Sequence, residues 1–209
     1  MIRVKICGIA DVASALVASE AGADAIGLIF APSRRQVTPQ RAREITAALP
    51  PFISKVGVFA DEDHHRIEDL AAACGLQAVQ LHGAESPEFC EGFGVPVIKA
   101  IRVKDASSLE GLSDYPVGAF LLDTFDASAL GGTGKVFDWS LASRAAQTHR
   151  VILSGGLTPE NVMSALTRVH LYGVDVSSGV ETDGTKDHGK IRAFIRRVRE
   201  WEFAASPHE

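Results

Sequence analysis

Val151-Ile152-Leu153-Ser154-Gly155-Gly156-Leu157-Thr158-Pro159-Glu160-Asn161 and, one helical pattern later, Gly173-Val174-Asp175-Val176-Ser177-Ser178-Gly179-Val180-Glu181 decide the fold. Each begins as a short apolar run rich in β-branched residues and ends in Ser and Gly, the pattern of a buried parallel strand delivering the chain into a tight loop. Glycine in such a loop lets backbone N–H groups approach an anion closely. Thr158-Pro159 suits the N-cap and first position of the helix that follows. Side by side, the two loops would cradle a phosphate through Gly155, Gly156, Ser177, Ser178 and Gly179. An eight-stranded β/α barrel commonly builds its phosphate site after strands seven and eight, so the strand count upstream becomes a test. Turn formation alone would account for the glycines of either loop; their pairing at the end of a repeating chain favours phosphate.

Upstream, the chain alternates. Ile2 to Ile6 is a β-rich run ending at Cys7-Gly8, and Asp11 caps an Ala-rich helical pattern over Val12 to Ala21. Asp24 to Phe30 is a second strand, and Thr38-Pro39 opens a helix reaching Leu49. Ser54 to Phe59 precedes a helix expected from Asp61 to Ala73, with Gly75 as its C-cap. Ala78 to Leu81 leads to His82-Gly83 and a short helix over Ser86 to Glu91; Pro96 to Val103 leads to another over Ser107 to Leu112. Gly118 to Asp123 is the sixth strand, followed by a long loop, Thr124 to Val136, and a helix from Asp138 to Ala146. After the two opening stretches, a helix over His188 to Phe203 closes the chain. Eight strands, each followed by a helix, predict an α/β fold, a single-domain (β/α)8 TIM barrel over residues 1–203, with the tail 204–209 fraying. A doubly wound open sheet uses the same alternation, but the first βα turn lacks GxGxxG and open sheets of this size usually have fewer strands. Gly131-Gly132-Thr133-Gly134-Lys135 imitates a P-loop and fails as one, because Ala129 and Val136 occupy the positions of its first Gly and its Ser/Thr.

The chain has 209 residues, 46% hydrophobic and 22% charged, enough for one large core. A formal net charge of -5, with no basic run beyond Arg196-Arg197-Val198-Arg199, gives nucleic-acid binding little support. The N-terminus is charged within its first five residues, and no later run approaches membrane-spanning length, so the expectation is a cytoplasmic protein without a membrane partner. Cys7, Cys74 and Cys90 contain no CxxC spacing, which points to reduced thiols rather than disulfides or a zinc site.

Residues at the C-terminal ends of barrel strands converge on the face that carries chemistry. Here they are Cys7, Phe30 with the loop to Arg35, Phe59, His82, Ile101-Arg102, Asp123, Ser154 and Asp175. A thiol facing a carboxylate across the mouth can take a proton from carbon while the carboxyl gives one to oxygen, the pair an isomerase needs. Each residue also has a plainer reading. A buried Cys is often a small hydrophobe, and Cys74 and Cys90, on helical patterns, read that way. Asp123 could cap its loop, with Asp126 as a rival carboxylate that reads as a turn residue. Asp175 could orient loop backbone, His82 reads as a hydrogen-bonding residue at a strand end, and His64-His65 as solvated. Lys5, compared with Ile6, is expected to point away from the mouth.

Lys5-Ile6-Cys7-Gly8, Val79-Gln80-Leu81-His82-Gly83, Leu121-Leu122-Asp123-Thr124, Gly131-Gly132-Thr133-Gly134 with Phe137-Asp138-Trp139, Leu153-Ser154-Gly155-Gly156-Leu157 and Asp175-Val176-Ser177-Ser178-Gly179-Val180-Glu181 occur in an order that closely resembles the phosphoribosylanthranilate isomerase family of tryptophan biosynthesis. The resemblance runs from Val4 to Lys190. It implies Cys7 as general base and Asp123 as general acid of an Amadori rearrangement, and Arg35 facing the anthranilate carboxylate. It also implies His82, Gly132, Gly155, Gly156, Asp175, Ser177, Ser178 and Gly179 around a phosphorylated aminosugar, without cofactor or metal, in a monomer or homodimer. Ala10 stands where the family usually carries Thr, and the Phe30-Ala31-Pro32-Ser33 loop is one residue shorter than the common pattern. Asp123 must carry a proton when it acts, which desolvation at the mouth favours, and Cys7 must be partly thiolate, which calls for a nearby cation or backbone donors. Two other classes compete. An indole-glycerol-phosphate synthase or another sugar-phosphate isomerase would share the barrel, the synthase needing a lysine acid at the mouth. A non-catalytic phosphate-binding module would have no use for both Cys7 and Asp123.

Overall fold

The computed structural model describes residues 1–124 and 138–205. Eight parallel strands close into one barrel in chain order: β1 (Arg3–Cys7), β2 (Ala25–Ile29), β3 (Ser54–Phe59), β4 (Ala78–Leu81), β5 (Val97–Val103), β6 (Ala119–Thr124), β7 (Val151–Leu153) and β8 (Gly173–Val176). The seam is the β1–β8 pair, in which Lys5 lies opposite Asp175 and Ile6 opposite Val176. Helices α1 (Val12–Glu20), α2 (Pro39–Ala48), α3 (His64–Cys74), α4 (Trp139–Ala145), α5 (Val162–Arg168) and α6 (His188–Ala205) belong to six of the eight units. A two-stranded hairpin, β9 (Glu181–Thr182) with β10 (Thr185–Lys186), lies between β8 and α6. None of the helices among the described residues is long and apolar enough to cross a membrane.

Side-chain alternation builds two cores from one set of strands. One parity faces the helices and buries Val4, Ile6, Leu122, Leu153 and Val174 completely. Each such aliphatic side chain contributes about 1.5–3 kcal/mol of transfer free energy. The other parity fills the barrel axis, where Ala100, Ala119, Leu121 and Ile152 form a separate small cluster. Above it the inward positions turn polar, and that change in composition makes the upper layer a site.

The differences from sequence expectation have local causes. The helices expected over Ser86–Glu91 and Ser107–Leu112 are short 3-10 turns, Glu88–Cys90, Ala106–Leu109 and Leu112–Asp114. Pro87, Gly92, Gly94, Pro96, Gly111 and Pro116 leave no room there for a longer helix. α3 starts at His64 because Asp63 is its N-cap, accepting from Arg66 N; Asp61 sits instead in the left-handed region at φ 52°. Thr158-Pro159 forms a turn rather than the helix start: Asn161 Oδ1 accepts from Thr158 N at 2.8 Å and its Nδ2 donates to Gly156 O at 2.8 Å, which ties the loop before α5 begins.

Candidate active site

At the C-terminal mouth, a cavity of about 450 Å³ is lined by Cys7, Arg35, His82, Asp123, Asp175 and both glycine loops, with Gln80 and Arg102 beneath and beside them. Thus nearly all the residues singled out in the sequence meet in one place. Gly132 and Asp126 lie outside the described residues.

Each side chain is aimed by its strand. Leu121 points down the axis, so Asp123, two residues on, points into the mouth. It is buried; its Oδ1 accepts from Thr124 N at 2.8 Å and its Oδ2 lies 3.3 Å from His82 Nε2. Gln80, on the same face of β4 as His82, brings its Nε2 to His82 Nδ1 at 2.9 Å, which leaves the Nε2 edge of the ring turned to the carboxylate. His82 thus makes its hydrogen bond with Gln80 at the strand end and turns its other ring nitrogen to the Asp123 carboxyl group.

Lys5 corrects the sequence reading. It shares its face with Cys7, not Ile6, since residues two apart on a strand point the same way. Its Nζ lies 2.7 Å from Asp175 Oδ1, both side chains 5% exposed. Asp175 Oδ2 accepts from Ser154 Oγ at 3.1 Å, so this carboxylate holds side chains of β1 and the β7 loop. Burial pushes the Cys7 thiol up; Lys5 opposes the rise, Asp175 adds to it and Lys186 opposes it again.

The two glycine loops pack against each other and against Asp123. At Gly179 an added Cβ would stand 1.8 Å from Leu157 O, and at Gly155, with φ 83°, 2.8 Å from Asp123 Oδ1. Glycine is required at both places for close approach. Among the described residues, no acceptor takes the backbone N–H groups of Gly156, Ser178 or Gly179.

Arg35 lines the cavity with its side chain 11% exposed, while Arg34 is 59% exposed. Both reach Glu181. Arg35 Nε and Nη2 grip its two oxygens at 2.6 and 2.9 Å, and Lys186 Nζ adds a contact at 2.7 Å. Burial works to raise the Glu181 carboxyl, but Arg35 and then Lys186 hold it below the ordinary glutamate range. Sequence reading missed Gln80, Glu181 and Lys186 as contributors. The even spacing of Gln80 from His82 was the available sign for the first; the other two belong to a hairpin that sequence pattern gave no reason to expect.

His64 and His65, read as solvated, divide. His65 is 91% exposed, whereas His64 stacks on Phe93 at 4.0 Å and contacts Glu91 O through Nε2.

With its ionisable groups gathered at the C-terminal ends of parallel strands, the chain falls in the class of (β/α)8-barrel enzymes. Residues 4–197 match the family described as N-(5'phosphoribosyl)anthranilate (PRA) isomerase. A relative from Pelobacter propionicus, N-(5'-phosphoribosyl)anthranilate isomerase, is 54% identical over 202 residues, covering 96% of this chain and 97% of its own. The crystal structure of phosphoribosyl anthranilate isomerase from Thermotoga maritima is similar with a TM-score of 0.88 and 44% identity, covering 96% of this chain and 100% of that one. A structure of the same enzyme type in complex with reduced 1-(O-carboxyphenylamino)-1-deoxyribulose 5-phosphate has a TM-score of 0.85 at 43% identity, with 96% and 100% covered. The chain belongs to the phosphoribosylanthranilate isomerase family.

Proposed function

We propose that this isomerase converts N-(5-phosphoribosyl)anthranilate into 1-(2-carboxyphenylamino)-1-deoxyribulose 5-phosphate, in tryptophan biosynthesis, with Cys7 as general base and Asp123 as general acid. The observation that carries the reading is that Cys7 and Asp123 enter one cavity from different strands, with Arg35 and both glycine loops lining the same space.

Asp123 gives its proton to the ribose ring oxygen, and the C1–O bond breaks to leave a cationic Schiff base. That charge acidifies the C2 proton, which the Cys7 thiolate removes to form an enolamine. Tautomerisation then adds a proton at C1 and removes one from the C2 hydroxyl to give the ketone, while Cys7 and Asp123 return to their starting states through solvent. Burial favours the neutral thiol of the resting site, so Cys7 first releases its proton to solvent, and the cationic intermediate favours the thiolate at the moment it is needed. Cys7 works only as a free thiol, which fits a cytoplasmic enzyme; all three cysteines are free. Whether the enzyme is a monomer or a homodimer does not alter this scheme, since every group named lies on one chain. The direct test is the fluorescence of phosphoribosylanthranilate: it disappears on adding purified protein, and its persistence would refute the activity.

Arg35 keeps an outer fork after Glu181 has taken its Nε edge, because a guanidinium has five donors. That fork receives the anthranilate carboxylate. Arg35→Lys is therefore expected to raise KM about tenfold or more, since lysine offers a point charge and no fork. Steady-state kinetics with Arg34→Ala alongside checks it: a fully active Arg35→Lys and a crippled Arg34→Ala would exchange the two roles.

The phosphate is held by the loops after β7 and β8 through backbone N–H groups, with Gly156, Ser177, Ser178 and Gly179 around it. Gly179→Val forces the Leu157 carbonyl aside and is expected to raise KM far more than it lowers kcat. An unchanged KM in both Gly179→Val and Gly156→Val would remove the cradle from the scheme.

A further inference from the structure

Cys7 is surrounded by charges from several elements. On β1, Lys5 shares its inward face, and on β8 Asp175 holds the Lys5 ammonium at 2.7 Å. On β10, Lys186 is paired with Glu181 of β9 at 2.7 Å, and Arg35, before α2, is paired with the same carboxylate at 2.6 Å. Asp123 and His82 line the same cavity from β6 and the end of β4. β2 contributes no charge: at Gly27 an added Cβ would stand 2.7 Å from Cys7 Sγ and 3.2 Å from Lys5 Cε. The missing side chain lets the thiol and the lysine stem lie against one backbone position.

We propose that Lys5 is the positioning cation of the proton-transfer step: anchored by Asp175, its ammonium keeps the Cys7 thiolate accessible, and Asp175 limits how much of that charge Cys7 feels. The inference rests on Cys7 as the base. Lys186 spends its donors on Glu181 Oε1 at 2.7 Å, Ser177 O at 2.9 Å and Ser177 Oγ at 3.4 Å, and the outer fork of Arg35 is assigned to the substrate carboxylate, whereas Asp175 takes one of the three donors of the Lys5 ammonium, which allows it to meet Asp175 and the thiol together. Burial alone would lower the lysine; Asp175 and then Cys7 more than offset it, so Lys5 stays charged. The arrangement also balances charge through the step. Lys5, Asp175 and thiolate sum to one negative charge when the intermediate carries one positive charge, and Lys5, Asp175 and thiol sum to zero after the proton has moved. The Asp123 carboxylate left by the first proton transfer stands outside this balance, 3.3 Å from His82 Nε2.

The test reads Cys7 itself. Alkylation by iodoacetamide is followed against pH in the full chain, with mass spectrometry of the peptide containing Cys7. Lys5→Met should move the midpoint up by about one pH unit or more, and Asp175→Asn should move it down. The double variant Lys5→Met with Asp175→Asn removes both charges and leaves neither partner unpaired; its midpoint should fall between wild type and Lys5→Met. It serves as the deciding measurement if the single lysine variant does not fold. A midpoint unmoved in Lys5→Met, shifts of the same sign in the two single variants, or a double variant at or below wild type would each overturn the proposal. Turnover by Cys7→Ala tests the base assignment separately, so retained activity there would sink that reading while the alkylation midpoints still report on Lys5.

Discussion

Replacing Cys7 by alanine or Asp123 by asparagine is expected to lower kcat and kcat/KM together, each by about a hundred- to ten-thousand-fold, the usual range for a positioned general acid or base. Both side chains stand on strand ends of a rigid barrel, while the carboxylate and phosphate contacts are assigned to Arg35 and the two glycine loops. Affinity for a non-reacting product analogue should therefore stay near wild type. Asparagine retains an oxygen for Thr124 N, the 2.8 Å contact that fixes the Asp123 side chain, so the variant removes the acid and spares the geometry. Cys7→Ser should fail as well, because a hydroxyl is too weak an acid to supply a base near neutral pH. Steady-state kinetics with analogue titration decides the matter. Near-normal kcat in Cys7→Ala or Asp123→Asn would overturn the assignment, and a tenfold loss of analogue affinity in both would make them binding groups instead.

The second large effect is on stability. Lys99 lies on the outer face of β5, 2% exposed, and its Nζ contacts Glu85 Oε2 at 2.8 Å, Gly83 O at 2.9 Å and Leu81 O at 3.3 Å. Glu85 Oε1 in turn accepts from Asp61 N at 3.0 Å and Gly83 N at 3.1 Å. This knot ties the loops after β3 and β4 together beside His82. Lys99→Met strands a buried carboxylate, a loss of about 3–5 kcal/mol, which corresponds to a Tm lower by roughly 6–20 °C for a chain of this size. Burial alone would raise the Glu85 carboxyl, but Lys99 and the backbone donors hold it below its ordinary value of 4.5. A depressed carboxyl contributes stability that is complete above the ordinary value and lost as pH falls through the folded one. The gap between wild type and Lys99→Met should accordingly be widest near neutral pH and narrow in acid. Urea unfolding across that range checks both claims; a neutral-pH loss under about 1 kcal/mol, or a gap that widens in acid, would refute them.

Strand positions were legible because a buried parallel strand has no alternative composition: Ala119 to Leu122 and Val151 to Leu153 are apolar on both faces and end at polar residues. Those ends gave the mouth, and with it Cys7, His82, Asp123 and Asp175. Inward direction was harder to read. Lys5 was weighed against its neighbour Ile6 when the relevant comparison was with Cys7, and its partner lay far along the chain on β8. Gln80 and Glu181 escaped notice for a related reason, since each acts on a group that the chain supplies from elsewhere or at even spacing, a relation visible only once strands are in register. Helix starts failed where side chains rewired a turn, as Asn161 does before α5.

The seam between β1 and β8 joins residues 170 positions apart in the Lys5–Asp175 pair. A chain made from its N-terminus therefore exposes β1 with one unpaired edge for most of its synthesis, the condition in which strands associate with the wrong partner. The edge is covered only when Gly173–Val176 arrives, and α6 then fastens the junction, Arg199 donating to Ile2 O at 2.8 Å and to Asp24 Oδ2 at 2.9 Å. Release from the ribosome before β8 emerges would leave an unclosed ring, sticky along β1, so nascent chains ending ahead of β8 should be the species that chaperones hold and proteases clear.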